Sequence, residues 1–415
     1  MSINKAVNMA KKAYATVPFY TELGKENGIT EEQITNETFT KLPVVNKTMM
    51  LNSFDVKQTI DSYTQEVGKE LQQVNTSGST GKCMNILWNR ADIVRSLTSL
   101  WVYRRRYYNI STDERMCYFY TKFGFGKQEQ LNVLERNNLG FSKCLLNKQD
   151  TLTVCKQIIE FDPAWLLLQP STAVILAQCF KDNHLPKIKS LRYIEMTSEM
   201  LFDSVRQQVN EVFDVPIANQ YGCYEAYSIA YECPEGHLHC MNNNVYVEVL
   251  KNGQPVKDGE EGEIYITSLQ NNVSPFIRYQ VGDIGTITNR KTCSCGNQNP
   301  ILTLTKGRDN DFVRMRDGGK ISAYVFVRAS ENVNEVMDNV IRQFQIVQED
   351  YDKFLVKVVV GPDTTDEEMD QIMNIYVDNI IHPDLDKASY EFEFYEALFL
   401  EPTNGKLLYF RSEVQ

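Results

Sequence analysis

From about residue 70 to about residue 290 the chain alternates short apolar runs with amphipathic stretches, and this constrains its fold more than any other feature. Met116 to Tyr120, Trp165 to Leu168 and Leu191 to Met196 read as strands, while Thr151 to Phe161 and Ser171 to Lys181 carry apolar residues at helical spacing. Strands that alternate with helices bury both apolar surfaces when helices pack on sheets, so the class is α/β. After Asp258-Gly259-Glu260-Glu261-Gly262 the pattern turns to strands, Glu263 to Thr267 and Gly285 to Thr288. The tail changes again, to a glycine turn at Gly318-Gly319, a helix from Asn332 to Phe344, a strand at Phe354 to Val360, a helix from Thr365 to Ile380 and a strand at Tyr390 to Tyr395. The expected architecture is a large N-terminal α/β domain, 1–307, and a small C-terminal α+β domain, 308–415, with the boundary near Gly307 to Asn310. At the start, Asn4 to Ala15 predicts a helix that Pro18 ends, with a second helix from Ile29.

The charge balance narrows the partners. Forty-three Lys and Arg against 54 Asp and Glu leave a net charge of −11, which repels phosphate backbones and anionic membrane surfaces, so neither nucleic acid nor membrane is an expected partner. Ten scattered cysteines with no secretory signal before them point to a reducing cytoplasm, with thiols free or metal-bound. The longest apolar runs, such as Trp165-Leu166-Leu167-Leu168, are far too short to span a bilayer.

The most informative stretch is Asn75-Thr76-Ser77-Gly78-Ser79-Thr80-Gly81-Lys82. Consecutive hydroxyls and glycines let backbone N–H and side-chain O–H groups surround phosphate oxygens without interference from Cβ atoms. It is not a Walker A loop, because Thr76 stands where that motif needs its first glycine and Cys83 where it needs a Ser or Thr for magnesium.

The loop instead resembles the Thr-Ser-Gly-Ser-Thr-Gly phosphate loop of the adenylate-forming enzymes, the superfamily of acyl-CoA ligases, adenylation domains and luciferases. Further resemblances follow in that family's order. Tyr221-Gly222-Cys223-Tyr224-Glu225 is similar to its Tyr-Gly-x-Thr/Ser-Glu motif, and Arg278-Tyr279-Gln280-Val281-Gly282-Asp283 to its Tyr-x-x-Gly-Asp motif. Gly307-Arg308 is similar to the Gly-Arg before the domain hinge, and Pro402-Thr403-Asn404-Gly405-Lys406 to the C-terminal Gly-Lys. Val17-Pro18-Phe19-Tyr20 and Leu42-Pro43-Val44 resemble the opening of the phenylacetate-CoA ligase branch. Tyr224 departs from the pattern, standing where Thr or Ser is usual.

The resemblance implies ATP-dependent activation of a carboxylic acid to an acyl-adenylate, then transfer to a thiol, of CoA or of a carrier protein's phosphopantetheine. An anion must attack a polyanion, so neutralising charge is the main task. The resemblance assigns that to Lys406, and to Glu225 a magnesium ion that bridges phosphates. Thr76, Ser77, Gly78, Ser79, Thr80, Gly81 and Lys82, with Tyr221, Gly222 and Tyr224, would hold the nucleotide. Asp283 would take the ribose hydroxyls, supported by Arg308, and the small domain would turn about a hinge near Arg308 to Asp311. The segments Phe119 to Gly126, Thr197 to Glu199 and Tyr221 to Tyr224, rich in aromatic and small residues, suit a flat aryl acid.

A second constellation lies outside that chemistry. Cys233-Pro234-Glu235-Gly236-His237-Leu238-His239-Cys240 and Cys293-Ser294-Cys295-Gly296 place soft and imidazole ligands in two tight turns. A closed structural zinc site of Cys233, His239, Cys293 and Cys295 is expected, His239 being preferred to His237 because Gly-x-Leu-His resembles the branch's own pair. Two other readings stand beside the leading one. An acyl-protein synthetase acting on aliphatic chains would share the adenylate step, and a scaffold without chemistry would have no reason to retain Lys406, Glu225, Asp283 and Arg308 together. A homodimer is compatible with the sequence.

Overall fold

Met116–Tyr120 and Trp165–Leu168 form strands, and Thr151–Phe161 forms a helix, as their apolar spacing predicts. The computed structural model describes residues 2–52, 71–75, 84–120, 132–142, 151–198, 201, 203–289, 292–306, 312–337, 340–360, 364–395 and 410–414. Its contacts divide the chain into two units, the first made of Met1–Thr76, Met84–Thr112 and Ala218–Gly307, the second of Ser77–Cys83, Asp113–Ile217 and Arg308–Gln415.

In the first unit Gln254–Pro255, Val245–Lys251, Glu261–Ser268, Tyr279–Thr288, Ile301–Lys306, Leu238–Cys240, Ala230–Glu232 and Ile217–Tyr221 lie side by side in that order. Every described pairing among them is antiparallel. The helices Ser2–Thr16 and Pro18–Glu26 cover this sheet, Ala6, Ala10, Ala13 and Tyr20 packing into one core with Val245, Ile264, Ile266 and Phe276. Pro18 does end the first helix, but it also begins the second as its first residue, where the missing N–H costs nothing; the helix expected from Ile29 is instead the short 3-10 turn Glu31–Gln33. A separate hairpin pairs Leu71–Asn75 with Asn85–Asn89, and leads into the helix Arg90–Tyr108.

The N-terminal segment is tied into the strand Tyr279–Thr288. The Tyr20 hydroxyl accepts from the Ile277 amide at 2.9 Å, and Val45 bridges Arg278 and Gln280 through backbone bonds of 3.0 and 2.8 Å. Arg278, almost wholly buried, places Nε and Nη2 on both oxygens of the buried Glu248 at 3.1 to 3.2 Å and Nη1 on the Leu42 carbonyl. Removing either partner of such a buried pair costs on the order of 3–5 kcal/mol, because the other charge stays buried alone.

Two groups of strands in the second unit have cores of their own. In one, Tyr193–Thr197, Trp165–Leu168, Met116–Tyr120 and Asn138–Ser142 are parallel neighbours, with Asn132–Glu135 antiparallel at the edge. The helices Thr151–Phe161, Pro170–Asp182 and Asp203–Phe213 cover it through Val154, Ile158, Leu176 and Val209. The parallel strands read as near-continuous apolar runs because both faces are buried. In the other, Ser389–Tyr395, Lys353–Val360, Ile341–Asp350 and Phe410–Ser412 follow in that order, packed on Tyr324–Val336 and Asp366–Asp378.

Here the expected helix Asn332 to Phe344 is corrected: the helix ends at Val336, and Ile341–Asp350 is a strand. Phe344, Ile346 and Gln348 are buried at a spacing of two, paired against Lys353–Val360, and the Asn334 side chain bonds both the N–H and the C=O of Ile341. Period two therefore prevails over helix propensity. Among the described residues no helix is long and apolar enough to cross a membrane.

Candidate functional site

The strand Ile217–Tyr221 delivers Tyr221 at its C-terminal end, and the chain turns sharply through Gly222. That turn needs glycine for space: a Cβ there would stand 1.9 Å from the Tyr227 carbonyl oxygen and 2.9 Å from Gln220 Nε2. Gly222→Ala is expected to lower stability by about 1–3 kcal/mol through a forced backbone shift, and to weaken ATP binding with it. Thermal melts and nucleotide titration of the same sample check this; an unchanged melting temperature would show that the turn can relax.

Beyond the turn, Trp88 from the hairpin donates Nε1–H to the Tyr224 carbonyl at 3.0 Å and packs edge-on to Tyr227, centroids 4.7 Å apart. This fixes the backbone of the motif and leaves Tyr224 half exposed. Glu225, by contrast, is buried. Burial, then the charge of this carboxylate, holds the Tyr279 phenol well above its ordinary pKa. Burial, then the Glu225 charge, pushes the Cys223 thiol well above its ordinary range, so it stays protonated at neutral pH.

The second carboxylate comes from the strand Tyr279–Thr288. The Tyr221 phenol donates to Asp283 Oδ2 at 2.7 Å, joining residues 62 positions apart. Two motifs that are remote in sequence are thus joined, with Asp283 of the second held by Tyr221 of the first. Arg278, at the head of the second motif, is occupied differently: its guanidinium is committed to Glu248 and Leu42, and its backbone is left-handed at φ 46°.

Of the remaining expected residues, Thr76, Ser77, Gly78, Ser79, Thr80, Gly81, Lys82, Arg308 and Lys406 lie outside the described residues. The strands flanking the glycine-rich loop pair as far as Asn75 and Asn85. Most of Phe119 to Gly126 is also outside them, but Phe119 itself is buried and stacks on Phe141, centroids 5.5 Å apart. It packs in the core of the parallel sheet.

The four expected metal ligands come together. Cys233 leaves the strand Ala230–Glu232, His239 sits in Leu238–Cys240, and Gly236, at φ 74°, closes the turn between them. Cys293 and Cys295 form the second turn, ended by Gly296 at φ 75° with its amide on the Cys293 carbonyl. One donor atom from each of the four lies within 4.8 Å of the others. Cys233 Sγ and Cys293 Sγ are 3.7 Å apart, and His239 Nε2 and Cys295 Sγ 3.4 Å. A tetrahedral ion with bonds of about 2.3 Å to sulfur and 2.0 Å to nitrogen has edges of roughly 3.8 and 3.5 Å, so the donor set fits zinc.

The outer contacts fit as well. His239 Nδ1 lies 3.1 Å from the Asn299 carbonyl, which selects the tautomer with Nε2 free to bind metal, and the Asn297 amide donates to Cys295 Sγ at 3.4 Å. His237 Nδ1 is 3.2 Å from Cys293 Sγ, outside the four-atom group.

Comparison with known proteins adds independent findings. Residues 73–273 match the family of AMP-binding enzymes, and residues 314–412 the CapK C-terminal domain. Protein CapK of Staphylococcus aureus is 25% identical over 352 residues, 83% of this chain and 74% of that one. Phenylacetate-coenzyme A ligase of Thermus thermophilus is 24% identical over 356 residues, 80% of this chain and 74% of that one. Among solved structures, 2-hydroxyisobutyryl-CoA ligase with 2-HIB-AMP and CoA in the thioesterification state aligns at a TM-score of 0.66 and 17% identity, over 97% of this chain and 87% of that one. The same enzyme in its postadenylation state aligns at 0.64 and 18% identity, over 95% and 85%.

Proposed function

We infer the reaction of this chain from its family and from its two joined motifs: it belongs to the adenylate-forming enzyme superfamily, in the phenylacetate-CoA ligase-like branch. The reaction is AMP-forming activation of a carboxylic acid. The acid's carboxylate oxygen attacks the α-phosphorus of ATP, the new oxygen–phosphorus bond forming as the bond to pyrophosphate breaks. A thiolate, of CoA or of a carrier-protein phosphopantetheine, then attacks the acyl carbon, and AMP departs as the thioester forms.

The single observation that supports this reading is the bond from Tyr221 to Asp283, which joins the two family motifs. Asp283 accepts the ribose hydroxyls, with Arg308 supporting the same region. Thr76 to Lys82, together with Gly222 and Tyr224, surrounds the phosphates. Glu225 would hold magnesium, an oxygen-loving ion that neutralises phosphate charge. Lys406, in the small domain 308–415, neutralises the charge that develops on carboxylate and α-phosphate. Cys233, His239, Cys293 and Cys295 would hold a zinc ion with a structural role, since four protein donors are enough for a closed site.

Acid-dependent exchange of labelled pyrophosphate into ATP tests the reading. Aryl acids are expected to exchange well, short aliphatic acids about tenfold worse for want of ring burial, and long-chain fatty acids not at all. A preference for long acyl chains would move the protein toward the acyl-protein synthetase reading, and no exchange with any acid would leave it a scaffold.

A further inference from the structure

We propose that Tyr221 is a positioning residue for the ribose of ATP: its phenol holds Oδ2 of Asp283 and so reserves Oδ1 as the acceptor for the ribose hydroxyls. The proposal rests on the reading of Asp283 given above and deepens it. A carboxylate on a short side chain rotates about its last bond, and each rotamer presents different lone pairs; a donor fixed on one oxygen stops that rotation. The donor here is itself immobile. Tyr221 pairs with Ala230 in the sheet, its carbonyl accepts from the Ile229 amide at 2.9 Å, and the next residue is the crowded Gly222.

Among the described residues only the Tyr221 phenol donates to Asp283, at 2.7 Å. Burial and the Asp283 charge hold the Tyr221 phenol well above its ordinary pKa, which keeps it a donor across the neutral range.

The test pairs a protein change with a ligand change. ATP and 2′,3′-dideoxy-ATP, each with magnesium, are titrated by calorimetry into the unsubstituted protein and Tyr221→Phe, which keeps the ring and removes one oxygen. Tyr221→Phe is expected to weaken ATP binding about five- to tenfold and dideoxy-ATP binding less than about twofold, because only ATP carries the hydroxyls that use the oriented carboxylate. In an Asp283→Asn background, adding Tyr221→Phe is expected to change ATP binding by less than about twofold.

Equal weakening for both nucleotides would reduce Tyr221 to a prop of the fold, and no weakening would make its bond idle; either overturns the proposal. If the unsubstituted protein bound ATP and dideoxy-ATP equally, the ribose role of Asp283 would fall, and the proposal with it. A preference for ATP that survives Tyr221→Phe removes the proposal alone.

Discussion

Lys406→Ala is expected to reduce acid-dependent pyrophosphate exchange by at least about 10²–10³-fold, while thiolysis of added acyl-AMP keeps most of its rate. The asymmetry follows from where charge appears. In the first half-reaction a carboxylate approaches a triphosphate and negative charge builds on the α-phosphoryl oxygens, so a fixed ammonium acts most in that transition state. In the second, a thiolate attacks an acyl carbon whose leaving group, AMP, is already stable, and the ammonium has little left to neutralise. Single-turnover assays of the two steps on the same preparation check this. Equal loss in both would mean that Lys406 holds the fold or the nucleotide in general. Lys406→Arg is the informative companion: it keeps charge but changes a compact ammonium for a planar fork, and partial recovery of the first step alone would point to charge as the operative property.

Removal of the metal is expected to have the other large effect, on stability instead of turnover. Elemental analysis should find about one zinc per chain, and Cys293→Ser or prolonged chelation should lower the melting temperature by roughly 10 °C, taking a structural site to be worth several kcal/mol. Cys233 and Cys293 come from turns 60 residues apart, and one ion would cross-link them. The second turn also anchors the helix Arg90–Tyr108, since Arg106 donates to the Cys295 carbonyl at 3.1 Å and the Asn297 amide group to the Tyr107 hydroxyl at 3.1 Å. Release of the ion should therefore loosen the C-terminal end of that helix, which hydrogen exchange can read. Turnover per folded molecule should change little; metal-free protein of full stability would leave the four side chains as ordinary thiols and imidazole.

What the sequence disclosed, and what it hid, divides along the range of the interactions. Thr151–Phe161 and the strand Trp165–Leu168 were readable to the residue, because apolar spacing within a dozen positions decides them. The helix expected over Asn332 to Phe344 failed, since the partner that makes Ile341–Asp350 a strand lies beyond the next turn. The metal group was visible because its ligand types are scarce and sit in short glycine turns. The bond between Tyr221 and Asp283 was not, although both residues stood in recognisable motifs, because no local pattern tells which side chains meet across a sheet. Arg278 showed the same limit in reverse. It read as the head of a nucleotide motif, whereas Glu248, the partner that occupies it, sits in the otherwise apolar run Val245–Lys251 with no signal of its own. Phe119 illustrates a third case, in which the same aromatic residue suits a pocket wall and a core, and its stacking on Phe141 is a contact that no local pattern shows.

The binding of residues 20 to 45 onto the head of the strand that carries Asp283 also sets the order in which the protein acquires its activity. The Tyr20 to Ile277 contact spans 257 residues, and the Val45 bridge is of similar reach. Contacts of such separation are among the slowest to close, because a long loop must lose its freedom before any of them is gained. During synthesis the N-terminal helices emerge early and must wait, with Tyr14 and Tyr20 not yet covered, until the strand beginning at Tyr279 leaves the ribosome. Competence to bind nucleotide should consequently be among the last properties to return on refolding, well after helical signal has recovered.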